Sequence, residues 1–435
     1  MSTRSAIEAS EFLRVRIVSL AARSRRLARI DYDSVGIRPQ DLPYAPSPEH
    51  FRAANQRLAA IDAEVARRLA MLRQNAAKAD PQRVLIDIAL VEREIDRARR
   101  AFGMFFEVFG QRGTSFAPVL AAHDVIANDC YDAVREGAPG LLDRKALPPI
   151  SYMEHGYSPA TRRRGTVLAR LLGETNPFPM IRIPWDRDNP WQTVFMHECA
   201  HNLHADMRIW QENRSAVAKR VRTATGDPLL TGIYSRWHKE IFADIAALLL
   251  AGPAAGWGMA LFLTHPAPRA LTYRHGGVHP TGFLRGLMLA EMMRRMGFAA
   301  DGERLGRVWR TLYDTRRFHR MPERLLGSAR RLVPIVVDEI AYQTRRNLAH
   351  RALADIIRFS AEDEQAIQTA SRQLIAGAVP NVALPPRHLV SAASYALASG
   401  RVKPSDLSQR VVHRLASEHP PAPATLGAAE AALAA

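Results

Sequence analysis

Residues 197–201 constrain this chain more than any other stretch, because they read His-Glu-Cys-Ala-His. Residues four apart share one face of an α-helix, so His197 and His201 can offer two imidazole nitrogens to one metal ion. Glu198 follows the first histidine and can act as a base on a water that the metal activates. A pattern of five residues also occurs by chance in polar helices, so the hypothesis of a metal site needs a second element.

The second element lies downstream, where Ile241–Leu250 is almost wholly apolar and predicts a buried helix. Glu240 and Asp244 lie four residues apart on one face of that helix. Buried carboxylates are costly unless they are paired or bind a metal. A metal ligand at Glu240 and a carboxylate at Asp244 that orients a ligand histidine would explain both. The alternative is that they pair with Lys239 or Arg236 at the edge of the core.

HExxH followed by a helix that carries ExxxD resembles the gluzincin group of zinc metallopeptidases, the thermolysin-like arrangement. The resemblance is local and covers about residues 191–285. It implies a zincin-like core, one Zn²⁺ per chain and hydrolysis of peptide bonds in a peptide or protein substrate. The implied roles are zinc ligands at His197, His201 and Glu240, a general base at Glu198, and a hydrogen bond from a ligand histidine to Asp244.

The competing metzincin pattern, HExxHxxGxxH, does not fit this sequence. Its glycine position holds His204, and its third-histidine position holds Met207. His204 nevertheless shares a helical face with His197 and His201, and a third ligand from the same helix would crowd the ion. We therefore expect His204 to support a ligand or face the substrate, or else to be an ordinary core histidine.

A loop at residues 272–285 is dense in Tyr, His and Arg and opens a helix predicted to run to about Arg295. Peptide hydrolysis builds negative charge on the carbonyl oxygen, which a neutral Tyr or a cationic His or Arg stabilises. We expect His279 first, and then Tyr273 and Arg285, to stabilise this oxyanion. The alternative is an ordinary polar loop.

The pattern predicts a predominantly α-helical α+β protein with a small sheet, and the resemblance implies that its core is zincin-like. Ile150–His155 and Pro179–Trp185 are the best strand candidates. Within the second, Met180–Ile183 would suit an edge strand that pairs with extended substrate. The predicted division is a helical N-terminal region (1–136), a linker (137–149), a catalytic core (150–300), a helical C-terminal region (301–416) and a disordered tail (417–435).

The net charge of +17 favours non-specific attraction to nucleic acid, which leaves one alternative function open. The chain could be a basic, helical, nucleic-acid-associated protein with an incidental HExxH. Its basic residues are spread over many helices, however, rather than concentrated among aromatic residues, and this favours solvated helix faces. A zinc-binding regulatory protein without turnover is the other alternative. The sequence does not predict an oligomeric state.

Cysteine usage and the N-terminus favour a cytoplasmic protein. Cys130 and Cys199 are the only two cysteines, so no disulfide framework is implied. Arginines interrupt every apolar stretch of residues 1–30, which argues against a secretory signal but leaves an organellar transit peptide as an alternative. No apolar run approaches 18 residues, so we expect no transmembrane helix.

Overall fold

The computed structural model describes residues 3–76, 80–143, 146–156, 159–162, 176–186, 189, 192–381 and 383–419, together with residues 428 and 431. The protein is about 70% helical with a small three-stranded mixed sheet, which confirms the predicted fold class of a predominantly α-helical α+β protein. The described residues form two compact units. The first unit comprises residues of Met1–Leu120, Arg162–Pro179 and Pro420–Ala435, and the second comprises residues of Ala121–Thr161 and Met180–His419. Most of the tail predicted to be disordered lies outside the described residues.

Three long helices build the first unit. They are α1 (Thr3–Arg25), α2 (Pro48–Ala76) and α3 (Pro81–Gly110), and short 3₁₀ helices span Pro39–Tyr44 and Gln111–Gly113. Both α2 and α3 begin at a proline, which costs no hydrogen bond at the first helical position. In the sequence of α3, apolar residues recur at three- and four-residue spacing and predict a buried stripe. Its members are all buried, as the period of an amphipathic helix requires: Val84, Ile88, Val91, Ile95 and Ala98. It packs with residues of α1 and α2 into one apolar core.

The second unit contains the later part of α4 (Ala117–Gly137) and all of the remaining named helices. These are α5 (Val194–Asp206), α6 (Trp210–Thr225), α7 (Pro228–Ala251), α8 (Pro253–Leu263), α9 (Ala267–Ala270), α10 (Gly282–Arg295), α11 (Ala299–Leu312), α12 (Glu323–Ala341), α13 (Leu353–Ile356), α14 (Ala361–Ile375), α15 (Pro386–Ala398) and α16 (Pro404–Ala416), with a 3₁₀ helix at Arg346–Leu348. In the part of the chain that the structure describes, none of the helices is both long and apolar enough to cross a membrane.

Apolar residues at helical spacing predict a helix over Pro334–Leu353, but the predicted start at Pro334 was wrong. Helix α12 begins eleven residues earlier, at Glu323, and Pro334 lies inside it. A proline normally starts or breaks a helix because it lacks an N–H donor and its ring crowds the preceding turn. Here the helix continues through Pro334, with buried residues on both sides such as Leu332 and Val336.

The small sheet has the order β1-β3-β2, where β1 is Ile150–Met153, β2 is Ala160–Arg162 and β3 is Met180–Ile183. Strands β1 and β3 pair in parallel, with Ile150 opposite Met180. Strand β3 is therefore central, and the prediction that Met180–Ile183 is an edge strand open to substrate was wrong. Arg182 is the polar residue that favoured an edge position. Its Nη1 instead lies 3.7 Å from Glu154 Oε2, across the β1–β3 pair.

Helix α7 lies at the centre of the second unit and is buried on all sides from Glu240 to its end. Asp227 caps its start, accepting hydrogen bonds from the backbone N–H groups of Leu229 and Leu230. Gly252, with φ +69°, ends it. Because α5, α6, α8, α10 and α12 all pack against α7, the carboxylates that α7 carries lie inside the protein.

Candidate metal centre

Helix α5 carries three of the predicted site residues into the interior. Its residues from Val194 to His204 are buried, including His197, Glu198 and His201. One nitrogen from each histidine and one oxygen of Glu198 all lie within 4.8 Å of one another. This is the only such group of His, Cys, Asp and Glu side chains in the described residues that could hold a metal ion.

Glu240 of α7 completes the cluster. Its Oε2 lies 3.5 Å from His197 Nε2, and its Oε1 lies 3.4 Å from His201 Nε2. Two ligands bound to one tetrahedral zinc at about 2.1 Å are separated by about 3.4 Å. Each of the two distances, one to either oxygen of Glu240, is close to that separation, and two imidazoles with one carboxylate are donors that zinc accepts.

The charges of this cluster stabilise one another. Burial raises the pKa of Glu240, but the neighbouring His201 and His197 outweigh it and hold that pKa well below its usual range. Burial also opposes protonation of His197, but Asp244 and Glu240 raise the pKa of this histidine to about 9. The negative field that favours a proton on His197 is the same field that attracts a metal cation.

Asp244 joins the cluster to α10. Its Oδ1 lies 2.9 Å from His197 Nδ1, a close contact without the straight geometry of a hydrogen bond. Arg285 donates two hydrogen bonds to the same carboxylate, from Nε to Oδ2 at 2.8 Å and from Nη2 to Oδ1 at 2.6 Å. This guanidinium outweighs the effect of burial and lowers the pKa of Asp244. Asp244 is thus held as a carboxylate at the back of His197.

The alternative partners considered for Glu240 and Asp244 lie elsewhere. The ammonium of Lys239 lies 3.2 Å from the ring centroid of Trp210, a cation–π contact. Arg236 donates from Nη2 to the hydroxyl of Tyr273 at 3.2 Å. The contacts of the two carboxylates described above are therefore with histidines and Arg285.

The cluster opens into a cavity of about 280 Å³. His197, Glu198 and Glu240 line it, so the cluster faces a space that a substrate can enter. Apolar side chains of α8, among them Met259 and Leu263, line another part. A cavity with an apolar surface and a few convergent polar groups is the usual form of a binding site.

The three residues predicted to stabilise an oxyanion have different surroundings. His279 lines the cavity, with Nε2 3.7 Å from Glu240 Oε2 and a side chain that is 67% exposed. The guanidinium of Arg285 also borders the cavity, but it is engaged with Asp244. Tyr273 is not among the lining residues, and its hydroxyl accepts a bond from Arg236. Of the three, only His279 lines the cavity with a side chain that makes no hydrogen bond to another described residue.

His204 is packed in aromatic surroundings. Its ring stacks on Phe242 with the centroids 4.1 Å apart, and Trp210 lies parallel to it at 5.9 Å. Its Nε2 lies 3.2 Å from the side-chain nitrogen of Asn213. His204 is fully buried and is not among the residues that line the cavity, so its place is that of a core histidine.

The structure adds cavity residues that the sequence did not single out. Arg269 and Arg274 line the cavity from the segment that precedes α10, and Met259 lines it from α8. Met259 Sδ is also 3.4 Å from Arg285 Nη2. The basic character of the segment was visible in the sequence, but which of its arginines face the cluster depends on the fold of the loop.

Comparison of the chain with protein-family models, with curated proteins and with solved structures gives no match.

Proposed function

We propose that this protein is a zinc-dependent peptidase. The observation that carries the proposal is the placement of Glu240 at 3.4–3.5 Å from the Nε2 atoms of His197 and His201, in a cavity that Glu198 also lines. Zinc held by these three residues would lower the pKa of a water and polarise the carbonyl group of a bound peptide. Asp244 and Arg285 fix the orientation of His197 from behind.

In the proposed reaction Glu198 transfers the proton and His279 stabilises the developing negative charge. Glu198 accepts the proton of the attacking water at its carboxylate and passes it to the leaving amine. His279 reaches into the cavity beside Glu240 and donates a hydrogen bond to the carbonyl oxygen as negative charge builds there. The side chain of His279 is largely exposed, which lets it move to a bound substrate.

The metal content of the purified protein is the first test, with wild type compared with Glu240→Ala and Glu303→Ala. Glu303 is a matched control, since its carboxylate is 62% exposed and pairs only loosely with Arg307 at 3.8 Å. We expect about one zinc per chain in wild type and in the control, and little in Glu240→Ala, because a tetrahedral site loses one of its three protein ligands.

Hydrolysis of a peptide library by Glu198→Gln tests the role of the base. The variant should keep its zinc and lose at least a hundredfold in rate, because general base catalysis contributes about 10²–10⁴-fold. Hydrolysis at the wild-type rate would contradict the assigned role of Glu198. Absence of zinc from wild type even after reconstitution would contradict the proposal as a whole and favour the nucleic-acid alternative, which steep salt dependence of DNA binding would support.

A further inference from the structure

The cavity has a basic part whose chemistry narrows the class of substrate. We propose that Arg274, assisted by Arg269, binds a carboxylate of the peptide, so that the protein selects acidic substrates. This inference rests on the proposed function, since it names the substrate of the same site. The carboxylate has two possible sources, an Asp or Glu side chain and a free C-terminus, and both present the same group to an arginine.

The balance of charge in the cavity supports this assignment. Among the lining residues that the structure describes, the carboxylates are Glu198 and Glu240, and both belong to the histidine cluster. Three arginines line the cavity, and Arg285 is neutralised by Asp244. Arg269 and Arg274 are exposed, and no carboxylate within the described ranges pairs with Arg274. Arg274 therefore presents positive charge to an incoming substrate.

The loop that carries Arg274 is held in place by backbone hydrogen bonds. Tyr273 N–H donates to the carbonyl oxygen of Arg320 at 2.9 Å, and Gly277 N–H donates to that of Arg274 at 2.9 Å. The indole of Trp237, on the central helix α7, donates to the carbonyl oxygen of Gly277 at 3.2 Å. Ordering of the loop is therefore largely complete before a ligand arrives, which reduces the entropy lost on binding.

Arginine chemistry and the size of the cavity favour a peptide carboxylate. The planar guanidinium binds a carboxylate with two parallel hydrogen bonds, a geometry that lysine does not offer. A cavity of about 280 Å³ is close to the lower limit of about 300 Å³ for ligand sites, so it admits a short stretch of chain. Met259 and Leu263 offer apolar contact to a neighbouring side chain of that stretch. The predicted substrate is a short extended segment with one apolar and one acidic group.

Paired fluorogenic peptides test the inference. Each pair differs only by Glu against Gln, or by a free against an amidated C-terminus, and kcat/KM is measured for wild type, Arg274→Gln and Arg316→Gln. Arg316 is the matched control, an arginine that is 90% exposed, pairs with Asp314 and lies outside the cavity. We expect wild type and control to prefer the acidic member about tenfold, which corresponds to about 1.4 kcal/mol. The ratio should fall towards one in Arg274→Gln.

The pair that shows the preference identifies the source of the carboxylate. A ratio near one for every pair in wild type, or a tenfold ratio that survives Arg274→Gln and the double variant with Arg269→Gln, would overturn the inference and leave the peptidase proposal standing. Charge reversal gives a second arm, because Arg274→Glu should turn the preference towards Lys-containing peptides. Both arginines are exposed, so these substitutions leave the core untouched.

A binding measurement separates failure of the inference from failure of the proposed function. Fluorescence anisotropy of the same labelled peptides with Glu198→Gln should show about tenfold tighter binding of the acidic member, weakened by salt. If wild type holds zinc and cleaves neither member, the peptidase proposal fails, and this binding ratio alone decides the inference. Equal affinities would overturn it. Tighter binding of a phosphoserine peptide than of the glutamate peptide would overturn the assignment to a carboxylate.

Discussion

At the scale of single residues, the buried charges form a chain from Arg285 through Asp244 to His197. Each member is at least nine-tenths buried, and each carries a partner of opposite or compensating charge. Taking such groups out of water costs several kcal/mol per ion, which only close pairing offsets. We therefore infer that this row of buried charges serves to orient His197, because apolar side chains of the same shape would stabilise the core at least as well.

Arg285→Met tests whether Arg285 positions the metal ligand or acts on the substrate. Loss of the guanidinium leaves the buried Asp244 carboxylate without its main partner, which should lower the free energy of unfolding by about 3–5 kcal/mol. It should also weaken zinc binding by about 10–100-fold, because His197 loses its fixed orientation. Urea denaturation and competition with a chelator measure the two quantities.

A double-mutant cycle provides the control for this prediction. Asp244→Asn combined with Arg285→Met removes both charges, so the loss of stability should be smaller than the sum of the single variants. An unchanged zinc affinity in Arg285→Met, together with a lower kcat, would instead assign Arg285 the oxyanion role that its position in the sequence suggested.

At the scale of elements, the junction of α7 and α8 depends on one glycine. Gly252 ends α7 and precedes α8, with φ +69° and ψ −159°, a backbone conformation that side chains exclude. A Cβ atom there would lie 2.1 Å from the ring of Phe359. The junction therefore fixes how the helix that carries Glu240 meets the helix that carries Met259.

Gly252→Ala should lower the free energy of unfolding by about 2–5 kcal/mol, from backbone strain and from displacement of the Phe359 ring. Gly232→Ala is the matched control on the same helix. It lies inside α7, where the nearest atom to a new Cβ is Arg236 Nη1 at 3.5 Å, so the change should stabilise by about 0.5–1 kcal/mol. Thermal and urea unfolding of both variants test the contrast. Equal effects of the two changes would contradict it.

Local pattern predicts the elements of this fold better than their partners. The spacing of apolar residues predicted α3, and a nearly continuous apolar run predicted the buried part of α7, because burial of one face or of a whole helix leaves a direct trace in the sequence. The place of β3 in the middle of the sheet left no such trace. An apolar stretch with one arginine suits an edge, and the ion pair of Arg182 with Glu154 brings together residues far apart along the chain. The ion pair of Arg285 with Asp244 was missed for the same reason.

At the scale of the whole molecule, the first unit shows the same limit of local pattern. Phe178 lies far along the chain from helix α3, yet its ring lies 6.0 Å from that of Phe105 and 6.1 Å from that of Phe109, both on α3. Contacts at such separation depend on the path of the chain between them, which periodicity does not encode. Division of the chain into units was therefore less accessible from the sequence than the helices themselves.

The excess of positive charge is largely a surface property. Many arginines pair with a carboxylate three or four residues away on the same helix, such as Arg99 with Asp96 and Arg307 with Glu303. Exposed pairs of this kind contribute at most about 1 kcal/mol each. The net charge of +17 thus shapes attraction to anionic partners more than it stabilises the fold.

Buried neutral histidines make the stability of the molecule sensitive to acid. Burial, aided by the nearby Arg387, lowers the pKa of His388 from 6.5 to about 4, and burial likewise lowers that of His238 to about 4. Between pH 6.5 and 4 the unfolded chain binds protons that the folded chain excludes, so the free energy of unfolding falls as the pH falls. The raised pKa of His197 acts only between pH 6.5 and 9, where its contribution is lost as the pH rises.

His388→Gln should flatten this dependence on pH. The full pKa shift of one such histidine corresponds to about 3 kcal/mol. As the pH falls from 6.5 to 4, the free energy of unfolding of wild type should therefore fall by up to that amount more than that of the variant. Urea denaturation at a series of pH values, on protein stripped of metal by a chelator, measures the difference. The exposed His413 gives the control variant His413→Gln, whose curve should run parallel to wild type. Parallel curves for His388→Gln as well would show that His388 does not carry this share of the acid sensitivity, and the dependence would then fall to His238 and the carboxylates.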